Sequence, residues 1–313
     1  MFQTLANSVL LRIRRSPLFF ERYNNTCDFV LNRTYTRYAQ ECRAAYEAER
    51  GPVNLPSSPL FENAAVLIRR AFPAEKARAY SEKIGALIER KDPAVKLSEE
   101  EGRNAYIAQP LFTLGADILD ALQTTAVHEA LLSFFRSHYR IEWVTCFRSL
   151  PTEGSAAGSR LWHSDSFPPS TCKMFLHLTP ATEDNGATEF MNREDTMAYR
   201  RAGYFGQFRA ERLADLQEFA REHHLPYRPS RFSAAAGDVT IFDMNFFHRA
   251  IPPRRAFRDV VQFFFVPSLV HWEEQLRRDG GVEGLNKRGV TKLPRNPRNT
   301  GSAVPVPSAS VMK

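Results

Sequence analysis

Val239-Thr-Ile-Phe-Asp-Met-Asn-Phe-Phe-His248 is a run of aliphatic and aromatic side chains entered through the turn Ala236-Gly237-Asp238. Residues of this kind favour a pleated, half-buried surface over a helix. Side chains alternate along a strand, so Phe242, Met244, Phe246 and His248 are predicted to share one face. An apolar lining that ends in one polar ring suits an enclosed site.

Shorter runs on either side read the same way: Ile141 to Leu150, Leu161 to Asp165, Cys172 to Leu178, Thr188 to Met191 and Arg258 to Val266. Turn clusters divide them, notably Pro168-Pro169-Ser170, Glu183-Asp184-Asn185-Gly186 and Pro252-Pro253. Before Tyr139 the spacing is helical instead. Phe29, Val30, Tyr35, Tyr38, Cys42 and Tyr46 recur every three to five residues within Ser8 to Arg50. Gly51 to Pro59 reads as a linker. Pro73 opens a helix through Arg90, and Leu114 to Tyr139 forms a second long helix. Ala64 to Ile68 is a short apolar run, and Arg209 to His223 a helical insert among the strands. Helices followed by short strands with turn signals predict a mostly β fold, a sandwich or barrel with flanking helices.

The 313 residues suffice for one large domain with a substantial core. No apolar run approaches the roughly 18 residues of a membrane span. Cys27, Cys42, Cys146 and Cys172 are scattered and form no Cys-x-x-Cys, a pattern of reduced thiols in a cytoplasmic protein rather than a disulfide framework. The net charge of +7 is uneven: Met1 to Phe20 carries +3, Gly284 to Lys313 carries +6, and the stretch between carries −2. A basic face for nucleic acid would lie on the folded part, so nucleic acid is not expected as a partner. Arginines interrupt the apolar stretch that a signal peptide needs, so none is expected at Met1 to Phe20. An ordinary helix, an organelle transit peptide and a surface-active basic helix stay open there.

The chemistry centres on Leu161-Trp-His-Ser-Asp165. On a strand, His163 and Asp165 project from one face, as two adjacent ligands must. Two histidines and a carboxylate can hold one triangular face of an iron(II) ion and leave three positions open, with His248 as the third ligand. Arg258 follows ten residues later in Arg-Asp-Val-Val-Gln-Phe-Phe-Phe. A buried arginine is rare without a partner, and its fork suits two-point binding of a carboxylate. Lys173, Phe175 and His177 share a face of the Cys172 to Leu178 strand. Facing inward, Lys173 and His177 would be costly unless paired.

Five segments, in order, carry a family resemblance. They are Ala65-Val-Leu-Ile-Arg-Arg-Ala-Phe-Pro-Ala-Glu75, Leu161-Trp-His-Ser-Asp165, Glu183-Asp-Asn-Gly-Ala-Thr-Glu-Phe-Met191, Gly237-Asp-Val-Thr-Ile-Phe-Asp-Met-Asn-Phe-Phe-His248 and Phe257-Arg-Asp259. Over about Leu60 to Pro267 the chain resembles the phytanoyl-CoA dioxygenase family of iron(II)- and 2-oxoglutarate-dependent oxygenases. The resemblance implies a double-stranded β-helix (jelly-roll, cupin-like) core. It implies Fe(2+) held by His163, Asp165 and His248, and 2-oxoglutarate held by Arg258 and lined by Phe175. Lys173 and His177 become candidates for substrate or supporting contacts. The implied reaction consumes O2 and hydroxylates a small molecule or lipid-like metabolite, with release of succinate and CO2.

The implied organisation is a helical extension and linker over 1–58, the oxygenase domain over 59–276 and a basic, disordered tail over 277–313. The chain departs from the family at Met191-Asn192-Arg193-Glu194, where Pro-Gly-Ser-His is usual. It departs again at Arg249-Ala250, where some relatives offer a hydroxyl to 2-oxoglutarate. Asp165 being a carboxylate argues against a halogenase. The alternatives are a catalytically inactive oxygenase-like scaffold or metal-binding protein, and a cupin-like metalloenzyme that does not use 2-oxoglutarate.

Overall fold

Alternation between two sheets organises the molecule. The computed structural model describes residues 29–52, 56–98, 103–152, 157–165, 167–288 and 293–298. The basic start, Cys27 and the final residues from 299 lie outside them. The strands are β1 (Ala65–Ile68), β2 (Val95–Ser98), β3 (Asn104–Ile107), β4 (His138–Ser149), β5 (Cys172–His177), β6 (Thr188–Phe190), β7 (Ser230–Arg231), β8 (Val239–Asp243), β9 (His248–Ala250) and β10 (Arg258–Ser268). A seven-stranded sheet has the order β1-β8-β5-β10-β4-β3-β2, and a three-stranded sheet the order β7-β6-β9. All pairs are antiparallel. From β5 onward the chain passes from the large sheet to the small one and back, twice. That course makes a mostly β, double-stranded β-helix core with flanking helices.

The central strand β10 divides the interior. Val261, Phe263 and Phe265 face an outer core with Ile84, Leu87, Val127, Leu131 and Phe134 from the helices Ala74–Glu89 and Thr125–Phe135. Val260, Phe264 and Val266 face an inner core with Trp143, Phe175, Phe190 and Phe242. Each such side chain, fully buried, contributes roughly 1.5–3 kcal/mol. A register shift opposite Phe264 and Phe265 leaves Glu142 as an extra residue in β4. The shift turns Arg140 and Glu142 toward the helix Phe29–Arg50, where they pair at 3.2 Å and Arg140 donates to the Tyr38 hydroxyl. Tyr35, Tyr38 and Cys42 form the buried stripe of that helix at the spacing an amphipathic helix requires. The helix therefore packs on the core.

Gly237 shows why the turn before β8 needs glycine. Its φ is +87°, and a Cβ there would meet the Phe72 carbonyl oxygen at 2.3 Å. Phe72 N–H donates to the Gly237 carbonyl, tying the turn to the start of the helix Ala74–Glu89.

Several expectations change. The run Val239 to His248 is not one strand: β8 ends at Asp243, whose carboxylate accepts from the Asn245 N–H, and the turn delivers His248 to the other sheet. Alternation along one strand therefore does not align Phe242, Met244, Phe246 and His248, although the three apolar members still meet in the inner core. Leu161 to Asp165 forms only isolated bridges, Trp162 with Leu213 and His163 with His248. The long pattern from Leu114 to Tyr139 breaks at Thr124 into a 3-10 helix and an α-helix. Arg209 to His223 likewise holds a short 3-10 turn and the helix Gln217–Glu222. The basic stretch assigned to a disordered tail from 277 starts as structure: Trp272–Arg278 and Gly281–Arg288 are helices. Leu285 is buried there, and Arg288 donates to the Glu142 carbonyl.

Candidate metal centre

His163 and His248 meet across the bridge between the two segments. Each backbone N–H donates to the other's carbonyl, at 3.0 and 2.9 Å. Behind His163, Gly206 at φ +58° has its Cβ position 3.1 Å from the His163 Cα and from the Trp162 carbonyl oxygen. Tyr204 donates to that same carbonyl at 2.6 Å. A side chain at 206 would push on the ligand backbone.

Both imidazoles are oriented alike. His163 Nδ1 lies 2.7 Å from the Leu161 carbonyl, and His248 Nδ1 lies 2.9 Å from the Phe246 carbonyl. A carbonyl can only accept, so each Nδ1 carries the proton and each Nε2 presents a lone pair. The rings sit 4.3 Å apart, centroid to centroid. Asp165 Oδ1 is 3.7 Å from His163 Nε2, and Oδ2 is 3.5 Å from His248 Nε2. One ligand atom from each of the three lies within 4.8 Å of the others, and no other such group occurs among the described residues. Burial and the neighbouring His248 hold His163 well below the usual imidazole range, so it is neutral. Burial alone would raise Asp165. The Lys173 ammonium, 2.7 Å away, leads the interactions that outweigh it and keep the carboxylate ionised. Two imidazoles whose Nε2 atoms face a shared carboxylate fit a divalent iron site.

Lys173 points inward, as the β5 alternation predicts, and its ammonium lies 2.7 Å from Asp165 Oδ2. Phe175 packs edge-on against Phe242 at 4.9 Å, and Phe242 lies 5.3 Å from the His248 ring. These aromatics form an apolar wall between the His-Asp-His group and Arg258, whose guanidinium is 5.9 Å from the Phe175 centroid.

Arg258 is buried and crosses from β10 to the small sheet. It donates to the Gly186 carbonyl and, at 3.2 Å, to the Thr188 hydroxyl, while its Nε has no partner. No carboxylate of the described residues pairs with it. Burial, with the nearby Arg160 charge, lowers its pKa from 12.5 to about 10. His177 lies beside it on the same face, Nε2 2.9 Å from Thr240 Oγ1.

Sequence reading overlooked three supports. Thr188 is paired directly with Ala250, so a hydroxyl absent beside His248 comes from the adjacent strand. Asn192 caps the helix Arg193–Ala202 by accepting from Asp195 N–H, which explains why Met191-Asn192-Arg193-Glu194 replaces a loop motif. From that helix Arg200 is buried and donates to the Asn245 carbonyl at 2.7 Å. It thereby braces the turn that delivers His248. The helix-capping pattern of Asn192 followed by Glu194 and Asp195 was the available signal.

No protein-family model matches the chain, and no curated protein matches it. Among solved structures, the chain is similar to the non-heme alpha ketoglutarate dependent carbocyclase SnoK from nogalamycin biosynthesis, at 15% identity over 72% of this chain and 91% of that one, with a TM-score of 0.49. It is similar to EctD from S. alaskensis, solved with 2-oxoglutarate and 5-hydroxyectoine, at 15% identity, 69% and 78% coverage and a TM-score of 0.47. A third similarity is to AviO1 from Streptomyces viridochromogenes Tue57, at 15% identity, 69% and 96% coverage and a TM-score of 0.45.

Proposed function

We propose that this chain is an iron(II)- and 2-oxoglutarate-dependent oxygenase of phytanoyl-CoA dioxygenase-like type, hydroxylating a small molecule or lipid-like metabolite. The observation that carries the reading is the convergence of His163, Asp165 and His248 within 4.8 Å, each imidazole with its Nε2 lone pair free.

When bound, iron with 2-oxoglutarate and O2 supplies an oxidative decarboxylation to succinate and CO2 that is coupled to oxidation of a C–H bond. The chain's part is to bind, orient and exclude water. His163, Asp165 and His248 would hold the metal through one face and leave the remaining positions for cosubstrate and O2. The Nδ1–H bonds to Leu161 and Phe246 fix both ring orientations before a metal arrives. Lys173 fixes the Asp165 carboxylate through Oδ2. Arg258, a buried cation with no acid of its own, would take the far carboxylate of 2-oxoglutarate. Phe175, Phe190 and Phe242 keep the space between dry, which protects a reactive oxidant from water.

Full-length protein with iron(II), ascorbate and 2-oxoglutarate should form succinate, and His163→Ala should reduce turnover at least a thousandfold. Normal succinate formation by His163→Ala would refute the ligand assignment. Stoichiometric binding of iron and 2-oxoglutarate without succinate, across pools of candidate small molecules, would favour the inactive scaffold.

A further inference from the structure

We propose that His177 is a second recognition residue for the far carboxylate of the dicarboxylate cosubstrate, donating a hydrogen bond from Nδ1 beside Arg258. The proposal rests on the iron and 2-oxoglutarate reading above. It concerns a residue outside the metal-ligand set.

His177 ends β5 and is 4% exposed. Its cross-strand partner on β10 is Val260, so Arg258, two residues earlier on the same face, is its diagonal neighbour. On its other side it reaches Thr240 of β8 through Nε2. Its Nδ1 is buried and has no hydrogen-bond partner, and the same is true of Arg258 Nε. Two neighbouring groups thus each keep a polar nitrogen inside the core without a protein partner, an arrangement that native cores avoid unless a water, an ion or a ligand completes it.

The chemistry of the missing partner follows from the donors. A hydroxyl both donates and accepts, so Thr240 can give its proton to Nε2 and leave the hydrogen on Nδ1. Burial and the adjacent Arg258 charge hold His177 at about 3, so the ring is neutral at physiological pH. Beside a guanidinium, a neutral N–H adds direction without adding a second positive charge. What satisfies both nitrogens is one acceptor-only group carrying negative charge, which is a carboxylate. Phe175 borders the same space and meets His177 edge-on at 6.4 Å. An acid lacking the far carboxylate would leave both donors desolvated and unused, so His177 sharpens discrimination rather than merely adding affinity.

The test compares two probes on full-length protein loaded with manganese(II), which avoids turnover: 2-oxoglutarate and 2-oxobutanoate, measured by calorimetry. Wild type should prefer 2-oxoglutarate strongly. His177→Phe should weaken 2-oxoglutarate roughly ten- to hundredfold, the scale of one hydrogen bond to a charged group, and leave 2-oxobutanoate unchanged. His177→Asn, which keeps an N–H donor, should recover part of the loss. Thr240→Val, which frees the tautomer, should fall between and serves if His177→Phe does not fold. Undiminished preference in His177→Phe, or in Thr240→Val where that variant stands in for it, with preference lost in Arg258→Leu, overturns the role of His177 and leaves the cosubstrate reading intact. Absence of any preference in wild type overturns both.

Discussion

Arg258 and Asp259 are consecutive residues on β10, and the two faces they meet treat charge in opposite ways. On the outer face Asp259 is fully buried and receives Arg148 through two bonds, Nε at 2.8 Å and Nη2 at 2.7 Å, with the Ser81 hydroxyl donating at 2.6 Å. That buried pair is complete within the chain. On the inner face Arg258 finds only a carbonyl and a hydroxyl. A buried cation left without an anion costs stability, and a chain retains one where a ligand supplies the anion. The outer arginine is part of the architecture. On the proposed function, the inner one is a receptor.

The largest effect should come from breaking the complete pair. Arg148→Met leaves Asp259 buried without its cation and should destabilise the protein by about 3–5 kcal/mol in urea unfolding. Adding Asp259→Leu should recover most of that, because two apolar groups replace a matched pair at little net cost. A loss under 1 kcal/mol for Arg148→Met would show that the outer cluster is not the structural counterpart drawn here.

The inner face should behave in reverse. Arg258→Leu should leave the metal-free, ligand-free protein at least as stable as wild type, since it removes an unmatched buried charge. The same substitution should weaken 2-oxoglutarate binding about a hundredfold, on the order of 2.7 kcal/mol. It should also abolish the rise in melting temperature that 2-oxoglutarate gives wild type. A large loss of stability with binding intact would make Arg258 a second structural arginine.

How much of this could be read from the chain depended on whether local pattern or tertiary closure decided it. The strands of the large sheet were legible because β5, β8 and β10 are aromatic and aliphatic runs bounded by turns. Alternation on β5 correctly placed Lys173, Phe175 and His177 on one inward face. The cluster of His163, Asp165 and His248 was legible as residue types in order, yet the reason given for it was incomplete. His163 and Asp165 are not on a regular strand, and His248 reaches them only because the chain turns after Asp243 and changes sheets. That turn has a polar signature, Asp-Met-Asn, that an aromatic run conceals. Thr188 and Arg200 were missed for a different reason: each acts across a strand or helix contact far away in sequence. The N-terminal helix reads as an extension in one dimension, and only the closure of Tyr35 on Trp143 and Phe264 makes it part of the core.

Asp243 carries the comparison to its smallest case, a buried carboxylate whose charge is only partly matched. Its hydrogen bonds come from Asn245 N–H and the Asn245 amide, at 2.8 and 2.9 Å. Burial raises its pKa to about 6, against the pull of those bonds and of the Arg200 charge. The unfolded carboxyl titrates near 3.8. Between about pH 4 and 6 the unfolded chain has given up this proton while the folded chain keeps it, so this group's contribution to stability falls as pH rises through that window. Above pH 6 both states are ionised and the deficit is constant. Asp243→Asn keeps an oxygen for the Asn245 N–H and cannot ionise. It should therefore be more stable than wild type by up to about 3 kcal/mol at pH 8 and indistinguishable near pH 4. Denaturant melts across that range, with a chelator present so that no cation at His248 adds to the local charge, would decide it. Parallel wild-type and variant curves would mean that Asn245 alone satisfies the carboxylate. The rule drawn from Arg148 and Arg258 would then hold for cations on this sheet but not for anions.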